Sequence, residues 1–344
     1  MTTADAALPV DTSADHALPT SVPATPATTP LRGGWRIIAR KELGDHLRSS
    51  RLLILLLLVA LAGLAAVHSA SGAIRDAATG ASETPSVFLY LFTLSPDRVP
   101  SFVEFVALIG PLLGIVFGFD AVNGERAQRT LPRLAAQPIH RDDVINGKFA
   151  AGIGAIALVL VDVVAVVCGY GMLRLGIAPT SADVVRLVGF LVLAVVYISM
   201  WLGFAILLSV LSRRAATAAL ATLAAWLVLA LFMGLIAGIV ADAVRPVDDA
   251  TDITQVLRNA RTELVVRRIS PDQLYREATA VLLNPTRQST GIVVAEPDNG
   301  ALPTALSLRE SLDLAWWQLT AIASIAVVLF VAAYGFFLRQ EIRA

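Results

Sequence analysis

The chain has 344 residues, of which 56% are apolar and 16% charged, and its 27 basic and 27 acidic side chains balance to zero net charge. A soluble domain carries about 25% charged residues, so this composition points to lipid, and nothing in the charge suggests a nucleic-acid partner. The single cysteine, Cys168, excludes an internal disulfide, and the four histidines are scattered, so no metal site is expected.

Residues 1–30 are mostly Ala, Thr, Pro, Ser and Asp, with five prolines and no Lys or Arg. They lack the basic start and apolar stretch of a signal peptide and read as a disordered cytoplasmic tail. Residues 31–51 follow as an amphipathic segment. Trp35, Ala39, Leu43 and Leu47 recur every four residues beside Ile38, while Arg36, Arg40, Lys41, Glu42 and Asp45 take the other positions. That spacing predicts an interfacial helix, chiefly an anchor ahead of the first span.

Six apolar stretches approach the roughly 20 residues that cross a hydrocarbon core: 52–68, 99–119, 149–173, 185–211, 215–241 and 314–338. Backbone groups find no water in lipid, so each is expected to be helical, and the fold class is all-α: a polytopic membrane domain over 52–344 with six transmembrane helices. Orientation follows from the basic residues. Fifteen fall before span one, between spans two and three, between four and five, and after six; only Arg75, Arg98, Arg174 and Arg186 lie in or beside the opposite short loops. Positive charge stays cytoplasmic, which places both termini inside.

The loop 120–148 is short, charged and cytoplasmic on this assignment. A second helix is expected to start near Arg141 and run straight into span three, making a stiff lever attached to two spans; the plainer reading is a solvated connection. In span two, Gly110, Gly114 and Gly118 repeat every four residues beside Pro111, and Gly234 and Gly238 repeat the spacing in span five. Small residues at this interval let helices approach closely, either within the bundle or at a permease–permease interface or pathway wall. Asp162 falls mid-way along span three, where a charge costs a few kcal/mol, so it is expected to face the bundle interior; Glu104 is nearer the outer end of span two. Both are candidates for translocation or packing.

The loop 242–313 is too long for a mere connection. Ile253, Val256, Leu257, Ala260 and Leu264 keep helical spacing, and Leu274, Ala278, Val281 and Leu282 form a second stripe. Ser270-Pro271-Asp272-Gln273 has the pattern of a capped start, with Gln273 at the capping-box position. Two short helices on the outer surface are expected, as a cap, a gate or a platform for an outer partner. Trp316 and Trp317 mark the outer interface of span six.

Three pieces of the chain resemble the permease subunits of ABC transporters of the ABC-2 type. They are Ala39-Arg40-Lys41-Glu42-Leu43 with Arg48 and Arg51, the loop residues Asp120, Glu125, Thr130-Leu131, Leu134, Gln137-Pro138, Arg141 and Lys148, and the end Phe337-Leu338-Arg339-Gln340-Glu341-Ile342-Arg343. Arg129 stands where glycine is common in the family, and Pro132 departs from the pattern. The resemblance implies that the loop forms a coupling helix seated on a separate ATP-binding-cassette ATPase, with Glu125, Arg126, Thr130, Leu131, Leu134, Pro138 and Arg141 facing it. It also implies a second permease copy or paralogue, export as the activity, a prokaryotic plasma membrane as the location, and ATP and Mg bound by the partner. The chain itself has no Gly-x-x-x-x-Gly-Lys-Ser/Thr loop to cradle phosphates, and Gly147-Lys148 is followed by Phe149, so no cofactor is expected here. Two other classes stay open: a membrane enzyme with a dispersed intramembrane site, and a membrane scaffold that transports nothing.

Overall fold

The computed structural model describes residues 33–78, 86–96, 99–127, 140–249, 251–291 and 305–339. The tail 1–30 lies outside them. The described residues form helices joined by short connections, with no strand among them. In chain order these are α1 (Gly34–Leu47), α2 (Ser50–Ala78), α3 (Val87–Thr93), α4 (Phe102–Gly118), α5 (Asn123–Ala127), α6 (Arg141–Leu175), α7 (Ser181–Leu211), α8 (Ala215–Leu227), a π turn (Val228–Phe232), α9 (Met233–Val244), α10 (Ile253–Arg267), α11 (Pro271–Leu283) and α12 (Leu308–Arg339). Six stretches are long and apolar enough to cross a membrane: α2, α4 running on into α5, α6, α7, α8 continued through the π turn into α9, and α12. The protein is thus an all-helical membrane protein. As expected, α6 starts at Arg141 and runs unbroken into the third span.

Local chemistry sets several helix starts. Ser101 and Glu104 form a reciprocal capping box at α4, and Thr180 and Asp183 form another at α7, each satisfying two backbone donors that a helix start leaves without partners. Glu104 is therefore a capping residue: its carboxylate accepts from Ser101 N–H and Ser95 Oγ, both at 2.7 Å.

The bundle is organised around α7, which packs against α4, α6, α8, α11 and α12. Glycines bring α4 closest. A Cβ added at Gly114 would lie 2.5 Å from Ile198 O and 2.8 Å from Leu202 N, and one at Gly118 would lie 2.9 Å from Leu202 O. The glycine stripe of span two is thus covered by α7 of the same chain, not by a second permease. Gly234 faces the end of Arg267, and nothing lies within 4 Å of Gly238.

The long loop 242–313 folds into the two expected helices; α10 stays on the surface with no buried residue, while α11 is buried against the spans. The hairpin reaches down between the spans. Ser270 Oγ donates to Leu229 O in the π turn at 2.8 Å, and the Tyr275 ring stacks on Tyr197 with centroids 4.5 Å apart. Tyr197 in turn reaches Ala107, five residues or about 8 Å inside α4, so Tyr275 packs beside the interior of the spans rather than at their ends. The polar tip tolerates this depth because its charges are paired. Glu277, 4% exposed, accepts from Arg268, Gln273 and Gln318. The expected capping box at Ser270 does not form, because the serine hydroxyl is committed to Leu229.

Candidate functional site

At one end of the bundle, α1, the start of α2, the end of α4, α5 and the start of α6 converge on a polar cluster. Lys148 Nζ, on a side chain only 7% exposed, sits 2.8 Å from Glu125 Oε1 and 3.1 Å from Glu42 Oε1. Three elements far apart in sequence, α1, α5 and α6, are thereby tied at one ammonium. A lysine at this burial is stable only when paired, and two carboxylates hold it. Burial alone would raise the Glu42 carboxyl, but Lys148 and Lys41 beside it keep it below the usual carboxylate range.

Further contacts fix the same frame. Asp143, in the first turn of α6, accepts from Trp35 N–H at 3.0 Å, joining the starts of α1 and α6. A Cβ at Gly147 would strike Ile38 at 2.7 Å, so glycine there lets α1 lie flat on α6. Arg51 pairs with Asp120 at 2.6 Å, and Ser209 of α7 accepts from the backbone N–H groups of Val122 and Asn123. Both flanks of segment 128–139 are therefore held by the bundle and by α1. His46 packs its ring on Phe117, 4.8 Å between centroids.

The residues expected to face an ATPase fall out unevenly. Glu125 is mostly buried and turned onto Lys148, which makes it part of the frame that holds the loop. Arg141 is exposed at the start of α6. Thr130, Leu131, Leu134, Pro138 and the side chain of Arg126 lie outside the described residues. Lys148 and Glu42 are the residues sequence reasoning left without a role; their signal was a lysine at the inner end of an apolar run, whose burial demands an acid nearby.

Deeper in the bundle, Asp162 departs from expectation. The buried stripe of α6 is Ile156, Val159, Leu160, Val163, Val164 and Val167, and Asp162 lies on the opposite face among exposed Leu158, Val161 and Val166. It has no hydrogen-bond or ion-pair partner among the described residues. At the opposite end of the bundle, Arg186, counted from sequence only as an outside charge, is buried. It donates to Leu282 O at 2.7 Å, to Ser311 Oγ at 3.1 Å and to Leu306 O, clamping the end of α11 to the start of α12. No group of three or more His, Cys, Asp or Glu side chains suited to a metal occurs among the described residues.

A family profile described as "ABC-2 family transporter protein" matches residues 36–342. A protein of Stutzerimonas stutzeri named "Probable ABC transporter permease protein NosY" is 33% identical over 144 residues, 42% of this chain and 45% of that protein. A protein of the same name from Pseudomonas aeruginosa is 30% identical over 147 residues, 43% of this chain and 46% of that one. The matches thus span a little under half the length of these curated relatives.

Proposed function

The chain belongs to the ABC-2 family of transporter proteins, and from that membership we propose that it is the permease subunit of an ATP-binding-cassette transporter. Its work is to convert ATP hydrolysis on a separate ATPase chain, which carries the ATP and Mg, into rearrangement of the six spans. A second permease copy or paralogue completes the transporter, and export is the direction. The protein sits in a prokaryotic plasma membrane with both termini cytoplasmic, a placement supported by the distribution of Arg and Lys. The tail 1–30, the interfacial segment 31–51, the coupling loop 120–148 and the outer loop 242–313 are its working parts around the six-span domain.

One observation carries the reading. The flanks of segment 128–139 are locked to α1 and to the bundle through Glu42, Lys148 and Glu125. A force applied to the loop by a partner is therefore delivered to α1, α4 and α6 together. The test is co-expression with a candidate ATP-binding-cassette ATPase subunit, purification as a complex, and reconstitution in liposomes. We expect a complex whose ATP hydrolysis differs from that of the ATPase alone, with Arg141→Glu weakening the link between the two chains. An ATPase that neither co-purifies nor changes its rate would refute the proposal.

A further inference from the structure

The outward face of α1 plays no part in the frame just described. Arg36, Arg40 and Arg48 stand along this face at four- and eight-residue intervals, all exposed, and none has an ion-pair partner among the described residues. Lys41 flanks them, bonded among the described residues only to Glu42 and Asp45 of its own helix. Between Arg40 and Arg48 lies Gly44, and with Arg36, Ile37, Lys41 and the carboxylate of Asp45, which Lys41 pairs, these residues bound a shallow groove of about 610 Å³. Glycine weakens a helix interior relative to alanine, so it normally answers to a close neighbour. Here nothing lies within 4 Å of a Cβ at Gly44. No contact among the described residues accounts for the notch.

The surroundings specify what fills it. Ile37 is 60% exposed and Leu47 40%, and the Trp35 ring, itself partly exposed, carries the Arg36 guanidinium 5.4 Å from its centroid. Cations interleaved with exposed apolar and aromatic side chains suit a membrane surface, where the stems enter the acyl boundary and the charges meet phosphate. The helix is also fixed there: α1 ends at Leu47 and the first span begins at Ser50. Guanidinium groups match phosphate oxygens in pairs, and a polybasic helix at an anionic leaflet gains from each charge.

We infer that the Arg36–Arg40–Arg48 stripe and the Gly44 notch form a binding site for the phosphate headgroup of an anionic phospholipid. The protein thus has a lipid-selective surface on α1, separate from the ion-pair frame on the helix's other side. This site requires neither the transport function nor a particular orientation.

The experiment uses the full chain in lipid nanodiscs, which expose both leaflets, with spin-labelled phosphatidylglycerol or phosphatidylcholine as the probe. Electron spin resonance reads the fraction of each held at the protein. We expect the wild type to prefer phosphatidylglycerol by roughly fivefold, the order that one basic contact supplies at a surface, and to lose the preference at high salt. R36Q/R40Q/R48Q should abolish it. G44L, which fills the notch and leaves every charge in place, should reduce it by at least half, and the triple lysine variant should retain part of it. Equal retention of the two lipids by the wild type would overturn the assignment, as would unchanged selectivity in G44L. Should the glutamine variant keep its lipid selectivity but lose a co-purifying ATPase, the stripe is a protein-docking face and the lipid assignment is wrong.

Discussion

The Tyr197 hydroxyl donates to the carbonyl of Ala107 at 2.9 Å, and that carbonyl is the one Pro111 leaves without a helical partner. Proline has no N–H, so the acceptor four residues before it is orphaned in the interior of α4. The hydroxyl comes from α7, the helix that the glycine stripe of α4 brings close. Fold-level packing and local hydrogen bonding therefore depend on each other at this crossing. The Tyr197 ring extends the link by stacking on Tyr275 of the hairpin.

Tyr197→Phe should destabilise the protein by about 1–3 kcal/mol, the cost of stranding a buried acceptor. Pro111→Ala restores an N–H that can bond Ala107 O. The phenylalanine substitution should then cost clearly less in the Pro111→Ala background. Thermal unfolding of the four proteins in one detergent makes the cycle, and purely additive effects would exclude the link between the proline and the tyrosine.

The glycines predict a contrast. At Gly114 an added Cβ meets the backbone of α7, which cannot rotate away, so Gly114→Ala should cost about 1–3 kcal/mol through separation of α4 and α7. At Gly238 the added atom meets nothing, so Gly238→Ala should be neutral or slightly stabilising in the isolated chain. Yields of folded protein and unfolding midpoints of the two variants check this. Equal effects would mean that the packing of α4 on α7 is looser than the geometry states.

What the sequence made legible was local. The apolar runs fix the spans because length and hydropathy act within one segment. The stripes at Ile253–Leu264 and Leu274–Leu282 fix α10 and α11 for the same reason, and the Ser101-x-x-Glu104 and Thr180-x-x-Asp183 spacings carried helix starts that could have been read too. What escaped depends on partners distant in the chain. The burial of Arg186 is settled by carbonyls at Leu282 and Leu306, about 100 residues later in the sequence. The depth of the hairpin is settled by Tyr197 and Leu229. Asp162 follows from which stripe of an almost uniformly apolar α6 turns inward, and uniform hydropathy holds no information about facing.

The Lys148 frame predicts an asymmetry between its members. Glu125→Gln leaves Glu42 to neutralise Lys148, so the loss should be modest, about 1 kcal/mol. Lys148→Met leaves two largely buried carboxylates facing each other and should cost several times more, about 3 kcal/mol. Adding Glu42→Gln and Glu125→Gln to Lys148→Met should recover much of that loss. Unfolding midpoints rank the variants, and equal effects of Glu125→Gln and Lys148→Met would show that the lysine is not the hub.

His46 gives the frame a pH dependence. Burial pushes its imidazole below the ordinary value near 6.5, with Glu42 opposing and Lys148 reinforcing the shift. A base depressed in the folded chain holds fewer protons there than when unfolded, so its contribution is complete above about 6.5 and is lost as pH falls from there through the lower folded value. Glu42 runs on a lower window. Its carboxyl is depressed by Lys148 and Lys41 against the effect of burial, so its contribution persists until pH falls below about 4.3, the ordinary value, toward the folded one. Between pH 7.5 and 5.5 the frame should therefore weaken through His46, and the unfolding midpoint should fall. His46→Phe keeps an aromatic ring against Phe117 and removes the titrating group, so its midpoint should be nearly flat over the same range. Glu42→Gln should steepen the wild-type slope, because among Glu42, Asp120 and Asp45, the carboxylates that favour the protonated ring, Glu42 acts most strongly. A His46→Phe protein as pH-sensitive as the wild type would place the titration elsewhere.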